Sequence, residues 1–179
     1  MRILAIAGSL RAGSSNRTVL QAAQALAAPA IEVHLFDGLG DLPLFNPDLD
    51  RDPLPPAIAA LRRAVEEADG LLICSPEYAR GVSAVLKNAL EWLVSGPEFP
   101  DKPVAVINAS QRSAEADSQL RLILRTMSAH LVEPASVTIP MLGRELNTDA
   151  LVADAALSAI LRRAIGDFVA AIETTRAGR

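Results

Sequence analysis

Residues 1–17 read MRILAIAGSLRAGSSNR, and this stretch decides the architecture. Ile3–Ala7 is a short, continuous apolar run, the pattern of a strand buried on both faces of a parallel sheet. Gly8–Arg17 follows, ten residues with two glycines, three serines, an asparagine and two arginines. From Asn16 the period changes. Val19, Leu20, Ala23 and Leu26 fall on one stripe of a predicted helix over Asn16–Ala28. A buried strand that turns through small polar residues into a helix is the opening unit of an alternating α/β chain.

The rest of the chain repeats that unit. Further strand-like runs are predicted at Ile31–Leu35, Leu71–Cys74, Val104–Ile107 and Ala135–Ile139. Helical spacing is predicted over Pro56–Ala68, Ser83–Ser95, Ala116–His130 and Asp149–Thr175. Five strands alternating with five helices predict one doubly wound α/β domain over residues 1–179 with helices on both sheet faces. The Asp- and Pro-rich segment Phe36–Pro55 reads as an ordered surface loop.

Composition narrows the chemistry. The 179 residues carry 17 basic against 21 acidic side chains, a net charge of −4, which argues against a nucleic-acid partner because phosphate neutralisation supplies most of that affinity. Aromatics make up 3%, too few for base-stacking platforms. The single cysteine, Cys74, excludes an intrachain disulfide, and the two histidines leave no His/Cys metal cluster. No signal peptide or apolar run of membrane-spanning length is read, so a cytoplasmic address is expected.

Ligands of open α/β sheets sit beyond the carboxyl ends of the strands, which points to Gly8–Ser15, Ser75–Val82 and Ala109–Glu115. The first of these has the chemistry of a phosphate cradle. Unpaired N–H groups and the dipole of a helix start meet hydroxyls, the Asn16 amide and the Arg11 guanidinium. A Walker A loop is excluded because Ser14 stands where its lysine belongs, and the dinucleotide fingerprint Gly-x-Gly-x-x-Gly is absent. A phosphate monoester held by neutral donors and one arginine fits; an ordinary turn capped by Ser15 or Asn16 is the plainer alternative.

The loop after the third strand reads Ser75-Pro76-Glu77-Tyr78-Ala79-Arg80-Gly81-Val82 and leads into Ser83-Ala84-Val85-Leu86-Lys87-Asn88-Ala89-Leu90-Glu91-Trp92. Taken together, the two loops resemble the NADPH-dependent FMN reductase family of flavodoxin-like quinone, azo-dye and chromate reductases. The first matches its G-S-x-R-x-x-S-x-N pattern at Gly8, Ser9, Arg11, Ser14 and Asn16. The second matches its P-E-Y…L-K-N-A pattern at Pro76, Glu77, Tyr78 and Leu86–Ala89, followed by Leu90, Glu91 and Trp92. The resemblance covers roughly residues 1 to 140, and two linked motifs are more specific than either alone.

That resemblance implies a five-stranded parallel sheet of order 2-1-3-4-5. It implies FMN as cofactor and NADPH as electron donor, with NADH as the alternative. Ser9, Arg11, Ser14, Ser15 and Asn16 would hold the phosphate. Pro76, Glu77, Tyr78 and Ala79 would line the isoalloxazine, with Ser110 as a further contact. Acceptors would be quinone-like, azo, metal-oxyanion or free-flavin small molecules, and the assembly a homodimer or homotetramer. Lys87, Asn88, Glu91 and Trp92 would anchor their helix or face a partner subunit. No catalytic side chain and no metal is implied, since the flavin carries the chemistry. A flavodoxin-type electron carrier and a flavin-free binding or regulatory domain are the competing readings. The chain departs from many members in having Ala79 rather than Asn, Ser83 rather than Pro, and a third loop without glycines. Cys74 reads as a small buried strand residue, and Arg80 as either a contact for the extra phosphate of NADPH or a solvated charge.

Overall fold

The chain is described by a computed structural model over residues 1–141 and 146–178. Strand β1 (Arg2–Ala7) leads through the glycine- and serine-rich loop into α1 (Ser15–Leu26), and β2 (Glu32–Leu35) follows. After a long loop come α2 (Pro56–Glu67) and β3 (Gly70–Cys74). A two-stranded hairpin, β4 (Glu77–Tyr78) and β5 (Gly81–Val82), precedes α3 (Ala84–Glu91). The order closes with β6 (Pro103–Val106), α4 (Ala114–Thr126), β7 (His130–Leu131), α5 (Thr148–Ala153) and α6 (Ala155–Ala177). The main sheet is parallel, in the order β2-β1-β3-β6-β7, the flavodoxin-like order that the family resemblance implies.

Burial explains why β1 and β3 read as unbroken apolar runs. Successive side chains of a strand point to opposite faces. Ile3, Ala5 and Ala7 pack with α1, α5 and α6, while Leu4 and Ile6 pack with α2, α3 and α4. All five residues of β3 are buried. The sheet is therefore the middle of three layers, and every apolar residue along its two central strands has a core to enter.

The long Phe36–Pro55 segment is ordered, as expected, and the reason is a set of specific anchors. Trp92 Nε1 and Asn88 Nδ2 both donate to Pro43 O, at 2.8 and 2.9 Å, and Asn88 Oδ1 accepts from Phe45 N–H at 2.8 Å. The rings of Phe45 and Trp92 meet edge to face at 5.0 Å. From α2, Arg62 donates to Asp50 Oδ1, Trp92 O and Ser95 Oγ at 2.8, 2.9 and 2.6 Å. Asn88 and Trp92 thus have a structural duty within their own chain.

Two elements differ from the expectation. The fifth strand is interrupted. His130–Leu131 pairs with Pro103–Val104, a 3-10 turn over Glu133–Ala135 intervenes, and the chain rejoins the sheet where Val137 N–H donates to Val106 O and Ile139 N–H to Asn108 O. Pro134 has no N–H for a ladder, so the run predicted at Ala135–Ile139 is the second half of a broken edge. The single helix predicted over Asp149–Thr175 is two, because Asp154 ends α5 and its carboxylate accepts from Ala156 and Leu157 N–H to cap α6.

Candidate functional site

The strand order reverses between β1 and β3, and their carboxyl ends lie side by side, Ala7 opposite Cys74. The loops after β1, β3 and β6 therefore converge at one end of the sheet, at the switch point where open α/β sheets take ligands. Gly8 is the hinge of this convergence. Its N–H donates to Cys74 O at 2.8 Å, and a β-carbon there would lie 2.9 Å from Ser83 Oγ and 3.2 Å from Ser75 Oγ. Only glycine lets the two loops abut.

The loop after β1 divides its polar groups between an exposed set and the buried Ser14 and Asn16. Ser14 is the N-cap residue of α1 by position, but its side chain makes no cap hydrogen bond. Ser15 and Arg11 are exposed and Ser9 is half-buried. Arg11 Nη2 donates to Gly13 O at 2.8 Å, which curls the loop while its other N–H groups stay available. No acidic residue occupies the first turn of α1, and Arg17 is held aside by Asp37 at 2.5 Å. Asn16 points inward instead. It is buried, and its Oδ1 accepts from the Cys74 thiol at 3.1 Å, so its amide NH2 is the group left to a ligand. The donor set is neutral hydroxyls, helix-start N–H groups and one guanidinium, which suits a phosphate monoester.

The loop after β3 is built the other way. Its hairpin turns through Ala79 and Arg80, both with positive φ (51° and 58°), the requirement of a two-residue type I′ turn that usually falls to Asn-Gly. The hairpin is pinned to α4 twice. Glu77 Oε2 accepts from Ala116 N–H at 3.0 Å, capping a first-turn donor of α4 from a distant segment, and Gln119 Nε2 donates to Arg80 O at 3.0 Å. Tyr78 remains 58% exposed beside the half-buried Pro76. Ser110, in the loop after β6, accepts Arg112 N–H on its hydroxyl at 3.2 Å. The ten residues singled out from the sequence thus lie in the three segments that follow β1, β3 and β6, with Ser15 and Asn16 in the first turn of α1 and Glu77 and Tyr78 in β4.

The sequence reading missed several supports of this site. One is the hairpin itself; the others are the capping role of Glu77 and the Gln119 contact, which each join residues 39 apart with no local signal. Ser83, the first residue of the helix predicted over Ser83–Ser95, is buried and caps α3, its hydroxyl accepting from Leu86 N–H at 3.4 Å. Cys74 behaves as the inert strand residue expected, since burial pushes its thiol pKa far up and keeps it protonated. Arg80 is highly exposed, with Glu115 3.9 Å from its guanidinium. Among the described residues no group of three or more His, Cys, Asp and Glu side chains is arranged to hold a metal, and no helix is long and apolar enough to cross a membrane.

Comparison with known proteins gives the family. The family model described as NADPH-dependent FMN reductase matches residues 1–142. The NAD(P)H-dependent FMN reductase PA1204 of Pseudomonas aeruginosa is 37% identical over 144 residues, spanning 78% of this chain and 77% of that protein. A probable NADPH:quinone oxidoreductase 2 of Oryza sativa is 36% identical over 145 residues, 78% of this chain and 71% of that protein. Among solved structures, FerB of Paracoccus denitrificans, a flavoenzyme NAD(P)H:(acceptor) oxidoreductase, superposes with a TM-score of 0.80 at 28% identity, covering 97% of this chain and 98% of that one.

Proposed function

We propose, from the premise that this chain belongs to the NADPH-dependent FMN reductase family, that its three converging loops form the FMN site of an NAD(P)H-dependent oxidoreductase. The observation that carries this reading is the donor set of Gly8–Asn16 at the start of α1, part exposed (Arg11, Ser15) and part buried (Ser14, Asn16), next to a hairpin pinned to α4 at the sheet's switch point.

Ser9, Arg11, Ser14, Ser15 and the Asn16 amide hold the phosphate. Arg11 neutralises one of its charges, and the α1 N–H groups take the rest without a competing carboxylate. Pro76, Glu77, Tyr78, Ala79 and Ser110 border the ring. Glu77 does so by fixing the hairpin on α4, which presents backbone amides of the turn in a constant orientation. Bound FMN supplies the electron transfer between a nicotinamide donor and the acceptor. No side-chain acid or base of this site is required for that, and Cys74, locked as a neutral thiol, takes no part.

The finer assignments follow the same reading. Acceptors are small oxidants of the quinone, azo, metal-oxyanion or free-flavin kind, which approach over the exposed Tyr78 face. NADPH is the donor favoured over NADH, because the Arg80 guanidinium at the hairpin tip is exposed and only loosely paired. A homodimer or homotetramer covers the exposed apolar side chains Leu44 and Val94, and the location is cytoplasmic.

The test is direct. Titration of flavin-free protein with FMN quenches flavin fluorescence to saturation at one FMN per chain, and anaerobic NADPH then bleaches the bound flavin's visible absorbance. Protein that leaves FMN fluorescence unquenched, or a bound flavin that stays yellow under both NADPH and NADH, defeats the proposal. Sedimentation at working concentration checks the assembly, and a monomer refutes that part alone.

A further inference from the structure

We infer that one internal water sits at the first turn of α4, and that Asp117 is the positioning residue that uses it to join the loop after β3 to the loop after β6. Asp117 has two differently treated oxygens. Oδ2 accepts from Arg121 Nε at 2.7 Å, one turn along α4. Oδ1 is buried, and no donor reaches it among the described residues. A buried carboxylate oxygen without a donor is costly, and native proteins satisfy such atoms with protein or with ordered water.

The surroundings supply what a water needs. A pocket of about 10 Å³ lies against Asp117, lined by the polar side chains of Ser75, Asn108 and Ser113 and walled by β6 and Leu120. That is the room for one water, which also requires two to four polar partners. Ser75 donates its hydroxyl to Pro76 O at 3.0 Å and accepts Ser83 N–H at 3.4 Å, which leaves one lone pair on its oxygen to accept from a water. Ser113 stands at the N-cap position of α4 but makes no side-chain cap bond, which leaves its O–H free to donate. Asn108 Oδ1 is taken by Ser110 N–H at 2.9 Å. A water that donates to Asp117 Oδ1 and Ser75 Oγ and accepts from Ser113 O–H satisfies all of them. Arg121 already neutralises Asp117, so the pocket calls for a neutral occupant rather than a cation.

The three partners come from three segments. Ser75 begins the loop that carries the hairpin, Ser113 ends the loop after β6, and Asp117 belongs to α4, onto which Glu77 pins the hairpin. The water therefore fixes the spacing of the two loops that border the ring. This consequence rests on the reading of those loops as the FMN site, whereas the water itself does not.

A crystal structure of the FMN-loaded protein tests the water, which is expected as a density peak about 2.6–3.2 Å from Asp117 Oδ1, Ser75 Oγ and Ser113 Oγ. Asp117→Leu loses the peak and weakens FMN binding about tenfold in fluorescence titration, whereas Asp117→Asn, which keeps an acceptor, stays within about twofold of wild type. Ser113→Ala serves if the leucine variant does not fold, and weakens binding about threefold by removing the water's donor. Amide hydrogen exchange in residues 76–82 and 109–115 rises in the same order. A pocket with no peak and Asp117 Oδ1 turned onto a protein donor, or leucine and alanine variants that bind FMN as wild type does, overturns the inference. If the wild type takes up no FMN, the functional reading fails, and the flavin-free crystal decides the water on its own.

Discussion

In the loop after β1 the Arg11 and Ser14 side chains are little engaged by protein, while in the loop after β3 the polar groups are tied to protein. The Ser14 side chain stands at an N-cap and caps nothing, and the Arg11 guanidinium makes one bond to its own loop. Glu77 and the carbonyl of Arg80, by contrast, are held by α4, and the turn between them keeps two side-chain-bearing residues in the left-handed region. The first loop binds through groups held ready for a charged ligand. The second contributes shape, and its own hydrogen bonds and strain maintain that shape. Substitutions in the first should change affinity with little change in stability, and substitutions in the second should change both.

The largest expected effect comes where the loops touch. Gly8→Val places a branched side chain against Ser83 and Ser75, costs about 2–3 kcal/mol of folding stability in thermal denaturation, and abolishes FMN binding. Wild-type stability in that variant would mean the loops do not abut as described. Next is Arg11→Ala, which removes a charge-assisted contact worth about 1.5–3 kcal/mol and weakens FMN binding ten- to a hundredfold at unchanged melting temperature. An equal fall in melting temperature would erase the contrast between the loops. Glu77→Ala uncaps α4, lowers stability by about 1 kcal/mol in denaturant titration and also loosens FMN, while Glu77→Gln recovers part of both. The smallest change is a gain. Ala79→Asn relieves part of a left-handed conformation that costs roughly 1–2 kcal/mol per residue, so stability rises by up to about 1 kcal/mol. Loss of stability there would show that the turn is not strained.

The same contrast explains what was legible in the sequence. Gly8–Asn16 is a contiguous motif between a strand and a helix, and every group that makes it a cradle lies within one turn of its neighbours. The hairpin has strands of only two residues, and Ala79-Arg80 carries no Gly or Asn to announce a type I′ turn. Its register is set by α4, across a separation in sequence that local patterning cannot bridge. The broken fifth strand and the split last helix were readable in hindsight from Pro134 and Asp154, each a local punctuation mark inside an otherwise periodic run. The sheet order needed the family resemblance, because alternating strands and helices fix the class and not the sequence of neighbours.

Trp92 is the chain's one tryptophan, fully buried, with its indole N–H on Pro43 O and its ring against Phe45. The molecule thus carries a built-in fluorophore at the joint between the long loop and α3. Detachment of that loop ahead of global melting would appear as a red shift in emission while the helical circular dichroism signal stays intact.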